Sequence, residues 1–265
     1  MPVLLALSAC TSVPLQQGGG LSSYENLGKE TGTFGNKRTF VDKAAVAAVK
    51  TVRILPSVYA PKAANRVKRP QDRALVSNVL DRALCVALSD KYQIVGPDHF
   101  ADMTVHNVIT DLVPTNKAVA GVSAVVTAGT GFVLPVSVPR LPLGLGAVAV
   151  EGEAVDKTGT QIAAILWSKG ANSITNSPRV SAVGDAYSLA TSYGSDFSTL
   201  LIKEASPSIF AVTMPSGQKI RSYFGGKPKY AACDTFGRAP GLAGMAAGMI
   251  AAPPGWADAG RKAHH

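Results

Sequence analysis

The sequence predicts an α+β domain: a mostly antiparallel sheet of four or five strands with two helices on one face, flanked by an irregular N-terminal tether and an irregular C-terminal tail. Three observations carry that expectation. The stretch QDRALVSNVLDRALCVALSDKY, after Pro70, keeps Leu75, Val79 and Val86 at helical spacing, with Leu80, Leu84 and Leu88 widening the apolar face. GAVAVEGEAV (146–155) and TQIAAILWS (160–168) flank the turn Asp156-Lys157-Thr158-Gly159, whose opening Asp and closing Gly suit a tight reversal. DAYSLATSYGSDFSTLLIKEA then repeats a helical stripe through Leu189, Tyr193, Phe197 and Leu201, with Asp185 as its cap.

In chain order, the first segment is a signal. Val3 to Leu7 form an apolar run that closes in Ser8 and Ala9 before Cys10. Leu7-Ser8-Ala9-Cys10 matches the bacterial lipobox, in which the Cys thiol is acylated and becomes the first mature residue. Residues 1–9 are therefore read as a signal peptide, truncated or mis-started because Met1-Pro2 carries no basic residue. Residues 10–45 are read as a lipidated tether and arm. Several acyl chains on one Cys would anchor the protein to a bilayer, at about 0.8 kcal/mol per buried methylene. By resemblance to lipoproteins of Gram-negative envelopes, where Asp after the Cys favours retention in the inner membrane, Thr11 implies the outer membrane, facing the periplasm.

Residues 46–214 form the expected single domain. Thr51 to Pro56 alternates as a strand, Tyr92 to Val95 makes a short one, and MTVHNVITDLV (103–113) a longer one. A period of two puts His106 and Asp111 on opposite faces of that strand and leaves His106 facing solvent. Glu151 and Glu153 share one face of the hairpin. Paired carboxylates can do acid–base chemistry, but no nucleophile or second cluster is aligned with them, and the expected role is the hairpin's wet face. Ile209 to Met214 is a further candidate strand. Residues 215–265, rich in Gly, Pro and Ala, are expected to form a mostly irregular tail.

The segment 118–145 is uncharged from Ala118 to Pro139 and close to the ~20 residues of a membrane span. Its glycines and prolines argue for a long apolar loop instead, one that would meet a partner or line a ligand cleft.

Charge and cysteine usage narrow the classes. The chain of 265 residues carries a formal net charge of +9. Its basic residues are scattered and not interleaved with stacking aromatics, which argues against nucleic acid. Anionic lipid, peptidoglycan or an envelope protein are the expected partners. No Cys/His spacing suits a metal, and no cofactor is expected. Cys85 and Cys233 remain beside Cys10. They could pair in an oxidising compartment, or Cys85 could be a small core residue of its helix; spacing alone favours the second.

LSSYENL after Cys10, the VRILP strand, the long helix, ADMTVHNVITDLVP and the hairpin VAVEGEAVDKTGTQIAA followed by a helix together resemble a bacterial lipoprotein family, domain of unknown function 3313. The resemblance covers about residues 20–205. It implies an envelope location and a small α+β domain, but no activity and no site residue beyond Cys10. The expected function is a non-catalytic accessory role in the envelope. A ligand or lipid carrier using 118–145 is the alternative, and a hydrolase using Glu151 or Asp111 comes third.

Overall fold

A four-residue reversal sets the centre of the sheet. Asp156 Oδ1 accepts hydrogen bonds from the backbone N–H groups of Thr158 and Thr160 and from the Thr158 hydroxyl. Gly159 takes φ +85°, a left-handed conformation that glycine adopts without Cβ strain. Bonding to Thr158 holds the Asp156 carboxyl below its ordinary range. The turn joins β6 (Ala147–Asp156) to β7 (Gln161–Gly170). The computed structural model describes residues 13–32, 35–120, 144–172, 179–205, 215–258 and 260. Cys10, most of the apolar segment 118–145 and the candidate strand Ile209 to Met214 lie outside them.

The hairpin pairs antiparallel with β5 (Met103–Val113) on one side and β1 (Asn36–Val41) on the other. Beyond β5 the direction changes: β2 (Thr51–Ile54) and β3 (Val58–Tyr59) run parallel to β5, and β4 (Gln93–Val95) runs parallel to β2. One mixed sheet results, in the order β1-β7-β6-β5-β2-β4, with β3 also on β5. The expectation of a mostly antiparallel sheet of four or five strands is corrected to a mixed sheet of seven. The physical reason is the connection between β2 and β4. It runs through α2 (Pro61–Arg66) and α3 (Pro70–Leu88), and a helical crossover returns the chain in the same direction. β1 lies in the stretch read as tether; its residues are all half-buried, so it has no alternation to detect.

Two long helices, α3 and α4 (Gly184–Ala205), cover one face of the sheet, with short α1 (Lys43–Ala48) beside α4. Pro70 occupies the first turn of α3, where its missing N–H has no intrahelical partner to lose. Asp185, expected as the cap, lies inside the first turn of α4. Its Oδ2 accepts from the Thr115 hydroxyl at 3.0 Å and from Gly146 N–H at 2.7 Å, tying the start of the helix to the sheet.

The core lies between these layers. Leu80, Leu84 and Leu88 of α3 and Tyr193, Phe197 and Leu201 of α4 meet Met103, Ile109, Val150 and Ile165 of the sheet, all buried. The Tyr193 hydroxyl donates to Asn107 Oδ1 at 2.6 Å and passes directly over β6 at Gly152, where a Cβ would stand 1.9 Å from Tyr193 Oη. Only glycine fits there. Gly152→Ala is expected to destabilise the fold by about 2–3 kcal/mol in urea unfolding. Adding Tyr193→Phe, which removes the clashing oxygen, should recover part of that loss; an additive double variant would contradict the geometry.

Candidate functional site

The face of the sheet opposite the helices carries Glu151 and Glu153, and both are buried, at 0% and 3% exposure. This corrects the wet-face expectation. The N-terminal arm lies across them. Glu151 Oε1 accepts from Gly18 N–H at 2.6 Å, and Oε2 accepts from Gly20 N–H at 2.6 Å and the Tyr24 hydroxyl at 2.8 Å. A Cβ at Gly20 would fall 2.7 Å from Glu151 Oε2, so the bare backbone is what lets the arm come this close. Burial, followed by the bond to Glu151, raises the Tyr24 hydroxyl above its ordinary value.

Glu153 Oε2 accepts from Ser22 N–H, the Ser22 hydroxyl and Gln161 Nε2, at 3.0, 2.7 and 2.6 Å. Its Oε1 lies 2.9 Å from His106 Nε2, so His106, read as solvent-facing, is paired. Burial pushes the Glu153 carboxyl up, but the bonds from His106, Ser22 and Gln161 outweigh it and hold the carboxyl at about 2. Leu21 and Leu27 of the arm pack on Ala164 and Leu166 of β7, with Tyr24 and Phe40 beside them.

A bulge between Ile109 and Asp111 brings Asp111 into register with Ala149. Cross-strand partners share a face, so Asp111 joins the face of His106 instead of opposing it. The two still do not meet: Asp111 contacts Lys62 Nζ at 2.7 Å and Arg66 Nε at 3.3 Å on α2. The candidate acids Glu151 and Asp111 are thus engaged in strapping and ion pairing. No group of three or more His, Cys, Asp or Glu suited to a metal occurs among the described residues.

A second feature lies on the outer side of the helix pair. The tail, read as irregular, contains α5 (Gly217–Tyr223), a 3-10 turn at Ala231–Phe236, α6 (Gly241–Met249) and a 3-10 turn at Pro254–Trp256. These pieces are too short to show a period, and distant contacts hold them. Cys85 of α3 and Cys233 form a disulfide, with Cα atoms 5.8 Å apart. The pairing, the reading that spacing did not favour, is therefore what the structure shows, and both cysteines are buried. Arg82 Nη2 meets Asp258 Oδ2 at 2.5 Å, and Tyr187 donates to the same oxygen at 2.7 Å. Burial and the Asp258 charge raise the Tyr187 hydroxyl. Breaking one side of such a buried pair costs about 3–5 kcal/mol.

Under this roof is a cavity of about 400 Å³. Val79, Ala83 and Val86 of α3 and Thr191 and Ser195 of α4 form its floor; Tyr223, Pro240 and Met245 form its roof. Arg179, Lys219 and Arg238 line it too. The described ends of segment 118–145 are not part of its lining, and the rest of that expected cleft lies outside the described residues. Among the described residues, no helix is long and apolar enough to cross a membrane.

A family profile described as "Protein of unknown function (DUF3313)" matches residues 16–197. The chain belongs to this family. The resemblance drawn from LSSYENL, the long helix and the hairpin is borne out. No curated protein matches the sequence. Among solved structures, the chain is similar to the PelC dodecamer from Paraburkholderia phytofirmans, with 12% identity and a TM-score of 0.39, covering 63% of this chain and 96% of that one. A point variant of that PelC matches with the same identity and coverage and a TM-score of 0.38. The DUF3313 segment holds the arm, Glu151, Glu153, His106 and most of the cavity floor; the roof lies beyond it.

The strap makes stability depend on acid. The Glu153 carboxyl is ordinarily near 4.5 and lies at about 2 in the folded chain. Above 4.5 both states are charged and its contribution is complete. As pH falls from 4.5 towards 2 the unfolded chain takes the proton first, so stability drops, and the contribution is gone below the folded value. Urea midpoints at roughly pH 5 and pH 3 should fall more steeply for the native chain than for Glu153→Gln; parallel slopes would refute the strap.

Proposed function

We propose that this protein is a lipoprotein of the bacterial envelope, anchored through Cys10 in the outer membrane and facing the periplasm. In this reading it catalyses no reaction and serves there as an accessory binding protein for a small apolar or amphiphilic molecule. The observation that carries the binding role is the stapled cavity. Its volume of about 400 Å³ and its largely apolar lining, open to solvent at Thr191 and Ser195, are those of a small-molecule site. The disulfide, the buried Arg82–Asp258 pair and the Lys219–Asp90 contact at 2.8 Å hold its roof in place. Arg179 suits the anionic head of an amphiphile whose apolar part occupies the floor, while Lys219 and Arg238 beside it are paired with Asp90 and Asp234.

The anchoring role draws on Leu7-Ser8-Ala9-Cys10, and a disulfide between Cys85 and Cys233 supports an oxidising compartment. Two measurements test the two parts separately. Radioactive palmitate should label the protein in cells and fail to label Cys10→Ser; equal labelling would overturn the anchor. The apolar fluorophore N-phenylnaphthylamine should bind the purified chain and be displaced by a fatty acid. Thr191→Trp, which fills the cavity from a solvent-exposed position of its floor, should weaken fluorophore binding at least roughly tenfold without lowering the melting temperature. Unchanged binding would overturn the cavity as the site.

A further inference from the structure

The roof of the cavity presents two apolar stripes to solvent. On α5 and its last turn, Ile220, Tyr223 and Phe224 stand at i, i+3 and i+4, each about half exposed or more. On α6, Leu242, Met245 and Met249 stand at i, i+3 and i+7, with Leu242 and Met249 69% and 80% exposed. The stripes belong to one surface. Tyr223 and Met245 each line the cavity from opposite parts of the roof, and a Cβ at Gly241 would lie 2.5 Å from the Phe224 carbonyl oxygen, so the end of α5 touches the start of α6.

The chain that carries the first stripe is basic. Lys219, Arg221, Lys227 and Lys229 fall between residues 215 and 233, a stretch with no Asp or Glu. Lys219 is paired with Asp90 and Lys229 Nζ donates to the Ser89 carbonyl, while Arg221 and Lys227 are exposed. We infer that this surface docks on an anionic lipid bilayer: the two stripes enter the acyl boundary, and the cations meet the headgroups. Flexible Leu, Ile and Met side chains with a Tyr at their edge, rimmed by Lys and Arg, are the chemistry of an interfacial membrane contact. A second copy of this chain fits less well, because a two-fold contact would set the same cations against each other. The inference rests neither on acylation of Cys10 nor on occupancy of the cavity, although a cavity rimmed by these stripes would then open towards lipid.

The test uses the full chain carrying Cys10→Ser, so that no acyl group contributes, floated with vesicles of phosphatidylcholine alone or with phosphatidylglycerol added. Binding is expected to the anionic vesicles and to fall as salt rises. Leu242→Asp with Met249→Asp, both at exposed positions, should weaken it at least roughly tenfold, and so should Arg221→Gln with Lys227→Gln. Melting temperatures of both variants should match the parent, separating lost docking from lost folding. Absence of flotation, or equal flotation by parent and variants, would overturn the inference. So would self-association that these substitutions abolish in a chain that ignores vesicles.

Discussion

Two carboxylates buried side by side on one strand are the constraint around which one face of this molecule is organised. Glu151 and Glu153 point the same way from β6, and a charge without donors is expensive to remove from water. The sheet alone supplies only His106 and Gln161 to them. The remaining donors come from the chain before β1: the N–H groups of Gly18, Gly20 and Ser22 and the hydroxyls of Ser22 and Tyr24. The arm is therefore a structural layer, and the leucines beside it fill the apolar surface of β7 that the helices cannot reach.

The other face follows a different rule. There the sheet and the helix pair make a conventional core, with Tyr193 seated over Gly152. The outer side of the helix pair receives the tail, whose segments have little local drive to form. Its segments are held by the disulfide and the buried ion pair, which close loops of 148 and 176 residues, and by contacts of Ser216, Gln218 and Lys219 with Asp90. The turn at Ala231–Phe236 packs into the core, and the rest of the roof, fixed at such points, leaves room beneath it. The same arrangement explains why apolar side chains of α5 and α6 remain exposed: the contacts that hold the tail lie on its inner side.

Local signals in the sequence were legible and translated directly into structure. The long helix before Tyr92, the strand from Met103 to Val113, the Asp156–Gly159 turn and the last long helix all carry a period or a turn signature within a few residues. β1 had no alternation, and β3 is two residues long, so neither could be read without its partner. The bulge in β5 broke the period of two that had set His106 against Asp111. Composition reads the glycines at 18–20 as tether, whereas Leu21 to Leu27 is a short aromatic-apolar patch that could dock on the domain, and Leu21 and Leu27 do so.

By itself, then, the amino-acid sequence determined the two long helices, the strand from Met103 to Val113, the hairpin at the centre of the sheet, and membership of the family. The tertiary structure alone decided the parallel part of the sheet, the burial of Glu151 and Glu153, the pairing of Cys85 with Cys233, and the cavity beneath the tail. The physical reason is distance along the chain. Periodicity and turn chemistry act over a few residues, whereas the contacts between Gly18 and Glu151, Cys85 and Cys233, and Arg82 and Asp258 span 133, 148 and 176 residues and exist only once the fold has brought them together.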